Sequence, residues 1–196
     1  MNTTNEGFDF IFAGGEEDTP RKNFWDDYVP IVQDGNTYTA YLASPIEEPD
    51  LYNQLCHLLN VATDEMTIVL DINTPGGSID SATKVLHSLS KTKAHTKAII
   101  NGTVASAGTI IALSCKELEI AKYTQFMIHN YSTGTQGKGH EVMAYIQFTD
   151  KNLKITFREI YKDFLTEAEM DAVIKGEDMW LNSEEVLTRW NLMKNS

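Results

Sequence analysis

Thr67-Ile68-Val69-Leu70-Asp71-Ile72-Asn73-Thr74-Pro75-Gly76-Gly77-Ser78 decides how the chain is read. Its first six residues are apolar or β-branched with one acid among them, the pattern of a strand buried on both faces. Pro75-Gly76-Gly77 then breaks the strand, since proline and paired glycines are turn residues. Ile79, Ala82, Val85, Leu86 and Leu89 follow at helical spacing and form one apolar stripe. The unit is therefore strand, tight turn, helix.

The same alternation extends in both directions. Upstream, Tyr38 to Ala43 reads as a strand, and Asp50 is placed to cap a helix whose Leu51, Leu55, Leu58, Leu59 and Ala62 share a face. Downstream, Ala98-Ile99-Ile100 is the next strand. An apolar helix through Ile110, Ile111 and Leu113 follows Ser106, and a short strand ends at His129. Strands and helices alternating through short links predict an α/β domain, a parallel sheet covered by helices. Gly134, Gly137 and Gly139 make a flexible link into a long helical pattern from Glu141 to Phe164, which carries Val142, Tyr145, Phe148, Ile155, Phe157, Ile160 and Tyr161. At ~1.5 Å per residue such a helix is longer than a small core needs, so a helix that projects toward a neighbouring subunit is expected. A pair of helices broken near Thr149-Asp150 is the plainer reading. A short helix near Thr166 to Lys175, the segment Asp178-Met179-Trp180-Leu181 and a last helix from Ser183 to Trp190 complete the chain. Asn191 stands where a left-handed helix end is common.

Composition narrows the function. With 196 residues and 42% hydrophobic content the chain can fill one substantial core. The expected organisation is an acidic N-terminal arm over residues 1–34, mobile in isolation or serving for docking, and one domain over residues 35–196. The arm carries an apolar cluster at Phe8, Phe10, Ile11 and Phe12. A net charge of −12 argues against a nucleic-acid partner, because phosphate binding needs clustered Lys and Arg. No apolar run is long enough for a membrane span and no leader pattern opens the chain, so a cytoplasmic location is expected. Cys56 and Cys115 read as buried free thiols, and no metal-ligand spacing is visible among the five histidines. No cofactor is expected.

Three segments carry chemistry. Gly76 and Gly77 allow backbone conformations that aim an N–H at a developing oxyanion, though an ordinary Pro-Gly turn accounts for them equally well. Ser106, in Gly102-Thr103-Val104-Ala105-Ser106-Ala107-Gly108, lies at a strand-to-helix junction among small neighbours. It reads as a nucleophile or as a plain helix cap. His129 closes Phe126-Met127-Ile128-His129 at a strand end, where it serves as a general base or as a structural histidine. An acid to orient that histidine has a candidate in Asp178, with Glu177 and Asp171 as rivals. Together these are the parts for acyl transfer.

From Tyr38 to Met193 the chain resembles the proteolytic subunit of the Clp protease, a ring-forming serine peptidase. The family's Asn-Ser-Pro-Gly-Gly motif is matched by Asn73-Thr74-Pro75-Gly76-Gly77, and its Gly-x-x-Ala-Ser-Met-Gly motif by Gly102 to Gly108. Its Met-Ile-His is matched by Met127-Ile128-His129, and its Asp-x-Phe-Leu-Ser is echoed by Asp178-Met179-Trp180-Leu181-Asn182. The resemblance implies a crotonase-like subunit with a long handle helix. It also implies Ser106 as nucleophile, His129 as base, Asp178 as orienting acid, and the N–H groups of Gly77 and Ala107 as the oxyanion hole. Stacked heptameric rings, protein or peptide substrates and a hexameric ATP-driven unfoldase partner belong to the same implication. Three departures stand out: Ala107 replaces a methionine, Asn130-Tyr131 stands where the family has Gln-Pro, and Met179 replaces an arginine that joins the rings. A divergent member, such as a phage-encoded one, fits these departures. The alternatives are a crotonase acting on acyl-CoA thioesters, a serine–lysine peptidase of related fold, and an inert ring or scaffold subunit.

Overall fold

The computed structural model describes residues 29–194. The Phe8–Phe12 cluster and most of the expected arm lie outside these residues. Seven strands and six helices follow one another: β1 Ile31–Asp34, β2 Thr37–Leu42, α1 Asn53–Val61, β3 Thr67–Thr74, α2 Ile79–Leu89, β4 His95–Ala105, α3 Ala107–Leu113, β5 Glu117–Ile120, β6 Gln125–Ile128, α4 Gly139–Tyr161, α5 Glu167–Ile174, β7 Met179–Asn182 and α6 Ser183–Lys194. They form an α/β fold in which helices cover one sheet.

The sheet is mixed rather than wholly parallel, with an antiparallel pair at each end. Its order is β1-β2-β3-β4-β6-β7, with β5 also paired to β4. The pairs β2–β3, β3–β4, β4–β5 and β4–β6 are parallel, as expected of strands joined through helices. β1 is antiparallel to β2 because a two-residue hairpin turn at Gly35 (φ +57°) connects them, a link only antiparallel strands accept. The expected boundary between residues 34 and 35 falls inside this hairpin, so the last four residues of the expected arm form the sheet's edge strand. β7 is antiparallel to β6, and the residues that follow Asp178 form this strand.

The core lies between the sheet and the helices. β3 turns Ile68, Leu70 and Ile72 fully inward while Thr67, Val69 and Asp71 on its other face are half-buried, so the strand is covered more completely on one side than the other. Leu55 and Leu59 of α1, Ala82 and Val85 of α2, and Ile111 of α3 join these residues in one buried apolar cluster. Asp50 does not cap a helix. It lies within a 3-10 turn, Pro49–Tyr52, that precedes α1, and the turn follows Pro49 as the fixed φ of proline favours at a helix start. α4 runs unbroken through Thr149-Asp150 for 23 residues. It ends at Tyr161, and the chain then turns to bury Phe164 and Leu165. α6 continues past Asn191 to Lys194, and Asn191 is not left-handed. Cys56 and Cys115 are free and buried. Among the described residues no helix is long and apolar enough to cross a membrane, and no group of three or more His, Cys, Asp or Glu is placed to hold a metal ion.

Candidate active site

The parallel strands deliver their carboxyl ends to one edge of the sheet, the edge at which open α/β sheets gather ligand-binding groups. β3 ends beside Gly76 and Gly77, β4 runs into Ser106, and β6 runs into His129. β4 makes this convergence happen. Its Lys97–Ile100 half pairs with β5 and its Thr103–Ala105 half pairs with β6, so β6 arrives beside the end of β4 rather than its start. Ala105 is registered against Met127, and the Ser106 N–H donates to the Met127 carbonyl at 2.8 Å. His129, two residues on, then brings Nε2 to 2.7 Å from Ser106 Oγ.

Ser106 takes φ +52°, ψ −125°, a combination that costs a non-glycine residue about 1–3 kcal/mol and persists only when neighbours fix it. The sharp strand-to-helix turn leaves its half-buried side chain at the cleft and opens α3 directly behind it. Gly76 lies against this turn. A Cβ there would fall 2.6 Å from both the Ala105 carbonyl oxygen and Ser106 Cβ, and φ +93° suits glycine alone. Gly77 (φ +146°) bridges to Ile46: the Ile46 N–H donates to the Gly76 carbonyl at 2.9 Å and the Ser78 N–H to the Ile46 carbonyl at 2.7 Å. A Cβ on Gly77 would sit 2.1 Å from the Ile46 oxygen. Neither the Gly77 N–H nor the Ala107 N–H has a hydrogen-bond acceptor among the described residues. Both N–H groups belong to residues that line the cleft beside Ser106 and His129.

Asp178 is exposed and makes no hydrogen bond to His129 among the described residues. Its position is nonetheless informative: Ile128 pairs with Met179, so one step further the antiparallel register sets His129 opposite Asp178. Of the rivals, Asp171 is engaged with Arg158 and Glu177 is exposed.

Three further residues frame the site. Tyr131 lines the cleft, and its hydroxyl donates to Asp150 of α4 at 3.2 Å. Lys154 holds the Asp150 carboxyl below the usual range, and burial with the Asp150 contact raises the Tyr131 phenol. Thr109 donates through Oγ1 to the Ser106 carbonyl at 2.7 Å and meets the Tyr161 hydroxyl at 2.6 Å. Burial pushes the Tyr161 phenol well above its ordinary value. The cleft between these residues is walled by Ile110, Leu153, Phe157 and Ile160, an apolar lining beside the serine. Sequence reading missed Thr109 and Tyr161, whose contact joins positions 52 apart; a hydroxyl three residues past Ser106 was the available signal.

The Clp protease family model matches residues 37–189. An ATP-dependent Clp protease proteolytic subunit from Streptococcus suis is 29% identical over 163 residues, spanning 74% of this chain and 78% of that protein. A protein of the same description from Streptococcus pyogenes is 26% identical over the same shares. Among solved structures, a ClpP1 variant from Listeria monocytogenes shares the fold at a TM-score of 0.62 with 20% identity, covering 77% of this chain and 86% of that one. With its serine, histidine and glycine turn set at one sheet edge and the family match running through all of them, the chain belongs to the Clp protease family, as a serine-type proteolytic subunit.

Proposed function

We propose that the protein is an endopeptidase that cleaves unfolded polypeptides and short peptides through an acyl-enzyme on Ser106. The observation that carries the reading is the 2.7 Å contact between Ser106 Oγ and His129 Nε2 at a strained turn. In this mechanism Ser106 Oγ attacks the scissile carbonyl while His129 Nε2 takes its proton. The tetrahedral oxyanion accepts from the N–H groups of Gly77 and Ala107. Collapse expels the amine, protonated by His129, and a water repeats the sequence on the acyl-enzyme. Asp178 acts on His129 Nδ1, holding the tautomer and the imidazolium. The β6–β7 register supports this role, and catalytic hydrogen bonds tighten in the working complex.

The reading extends to assembly. α4 exposes Tyr145, Phe148 and Ile155 along one stripe, an apolar face that suits packing of one subunit on another in heptameric, stacked rings. A hexameric ATP-driven unfoldase feeds such a ring with extended chains; the peptidase itself needs no metal or organic cofactor. Cytoplasmic location goes with that partnership. Hydrolysis of a fluorogenic peptide by the parental protein and Ser106→Ala tests the core of the proposal. Loss of turnover on the order of 10⁴–10⁶-fold in the variant is expected; turnover at the parental rate contradicts it.

A further inference from the structure

We propose that Tyr161 and Thr109 are positioning residues that aim the oxyanion-binding N–H of Ala107 through a buried hydrogen-bond relay from the base of α4. The relay rests on the peptidase reading above and deepens it.

The direction of the relay follows from counting protons. Thr109 Oγ1 has one, and it lies 2.7 Å from the Ser106 carbonyl, which can only accept. Thr109 Oγ1 must then accept from Tyr161, whose hydroxyl is 2.6 Å away. The chain runs from Tyr161 O–H to Thr109 Oγ1–H to the Ser106 carbonyl. Both side chains are buried, Thr109 at 0% and Tyr161 at 3% exposure, so water does not compete for either bond. The Thr109 N–H donates to the same carbonyl at 2.9 Å, giving that oxygen two donors.

That carbonyl matters because of what shares its peptide. The Ser106 C=O and the Ala107 N–H belong to one planar trans unit and point in opposite directions. Fixing the oxygen toward Thr109 therefore fixes the N–H away from it, and among the described residues that N–H has no acceptor. The turn is strained at φ +52°, so the unit has reason to rotate if released. Gly76 packs against the turn beside the Ala107 nitrogen and the Met127 carbonyl holds the Ser106 N–H, while the carbonyl end of the 106–107 peptide is held by the two Thr109 donors. Tyr161 is the last residue of α4, with the Phe157 ring tilted against it at a centroid distance of 4.6 Å, so the relay also links the setting of that helix to the oxyanion donor.

The test uses the full-length assembled protein with a fluorogenic peptide and a peptide boronate, whose tetrahedral complex on Ser106 sets an oxygen in the oxyanion position. Thr109→Val alone leaves the Tyr161 hydroxyl buried and unpaired, so the informative variant is the double Thr109→Val/Tyr161→Phe, which removes both polar groups. It is expected to lower kcat about tenfold or more and weaken boronate binding in proportion, with KM within about twofold and the melting temperature near parental. Thr109→Ser keeps the donor and is expected to restore kcat. Parental kcat in the double variant overturns the relay, as does a loss carried by KM with boronate affinity unchanged, or one that Thr109→Ser shares. Ser106→Ala is assayed alongside: if it turns over peptide, the peptidase reading itself fails and the relay with it, whereas an inactive Ser106→Ala beside a fully active double variant sinks the relay alone.

Discussion

Ser106 and His129 touch because a parallel register brings two strand ends level, and Gly76 and Gly77 are glycines because the Ala105 and Ile46 backbone and the Ser106 Cβ occupy the space a Cβ would need. Gly77→Ala is expected to lower kcat at least tenfold and to reduce the melting temperature. The new methyl meets a backbone oxygen at 2.1 Å that cannot swing aside as a side-chain tip can; peptide hydrolysis with a thermal melt checks both. The choice of acid is tested by a pair of variants. Asp178→Asn is expected to reduce kcat by about 10² or more, through loss of the histidine tautomer. Asp171→Asn, whose side chain pairs with the exposed Arg158, is expected to leave kcat unchanged and the melting temperature near parental. These residues were readable because serine, histidine and paired glycines carry chemistry in their identity and occur here in ordered motifs. Thr109 and Tyr161 were not, because a hydroxyl pair 52 positions apart has meaning only once α4 is docked.

Helix and strand periodicity exposed the alternation of β3, α2, β4 and α3, since each of these buries one face and therefore repeats its apolar residues. β5 escaped notice: Glu117-Leu118-Glu119-Ile120 is short, and its glutamates pair with Lys97 and His95 on the exposed side. The continuity of α4 was equally undecidable, because Thr149-Asp150 is a weak helix pair that neighbours override, Asp150 being held by Lys154 and Tyr131. The C-terminal elements are joined by a different device. Arg189 of α6 grips Glu169 of α5 with both guanidinium nitrogens, at 2.6 and 3.0 Å, and Glu169 also caps its own helix through Thr166. Arg189 chiefly, then the Thr166 donors, holds the Glu169 carboxyl at about 2. A carboxylate depressed on folding adds stability that is complete above its unfolded value of roughly 4.3 and is lost as pH falls toward 2. Glu169→Gln is therefore expected to be less stable than the parent by about 1–2 kcal/mol at pH 7, a figure reduced by the partial solvation of the pair. The gap is expected to narrow between pH 5 and pH 2.5. Denaturant melts of both proteins across that range measure it, and a gap constant with pH contradicts the assignment.

At the scale of the molecule, one cleft lies at one sheet edge and is walled by a long helix that also carries exposed apolar residues, the surface on which the proposed assembly rests. Phe148 is 70% exposed on α4, at the rim of the cleft, and continues with Tyr145 and Ile155 as an exposed apolar stripe. Phe148→Asp is expected to shift the sedimentation profile toward smaller species while leaving the helix content unchanged; an unaltered assembly state contradicts a role for that face. The family's architecture was legible from four ordered motifs, but the sequence pattern could not give the mixed sheet, whose antiparallel edges depend on a hairpin at Gly35 and on the return of β7 beside β6. That return also sets Met179, the neighbour of Asp178, opposite Ile128, the neighbour of His129. Catalysis at this site requires Ser106 to be an activated nucleophile. Intact mass after treatment of the assembled protein with a fluorophosphonate tests this most directly. A single adduct on the parent that is absent from Ser106→Ala is the predicted result; an unmodified parent, or an adduct that persists in Ser106→Ala, contradicts the account.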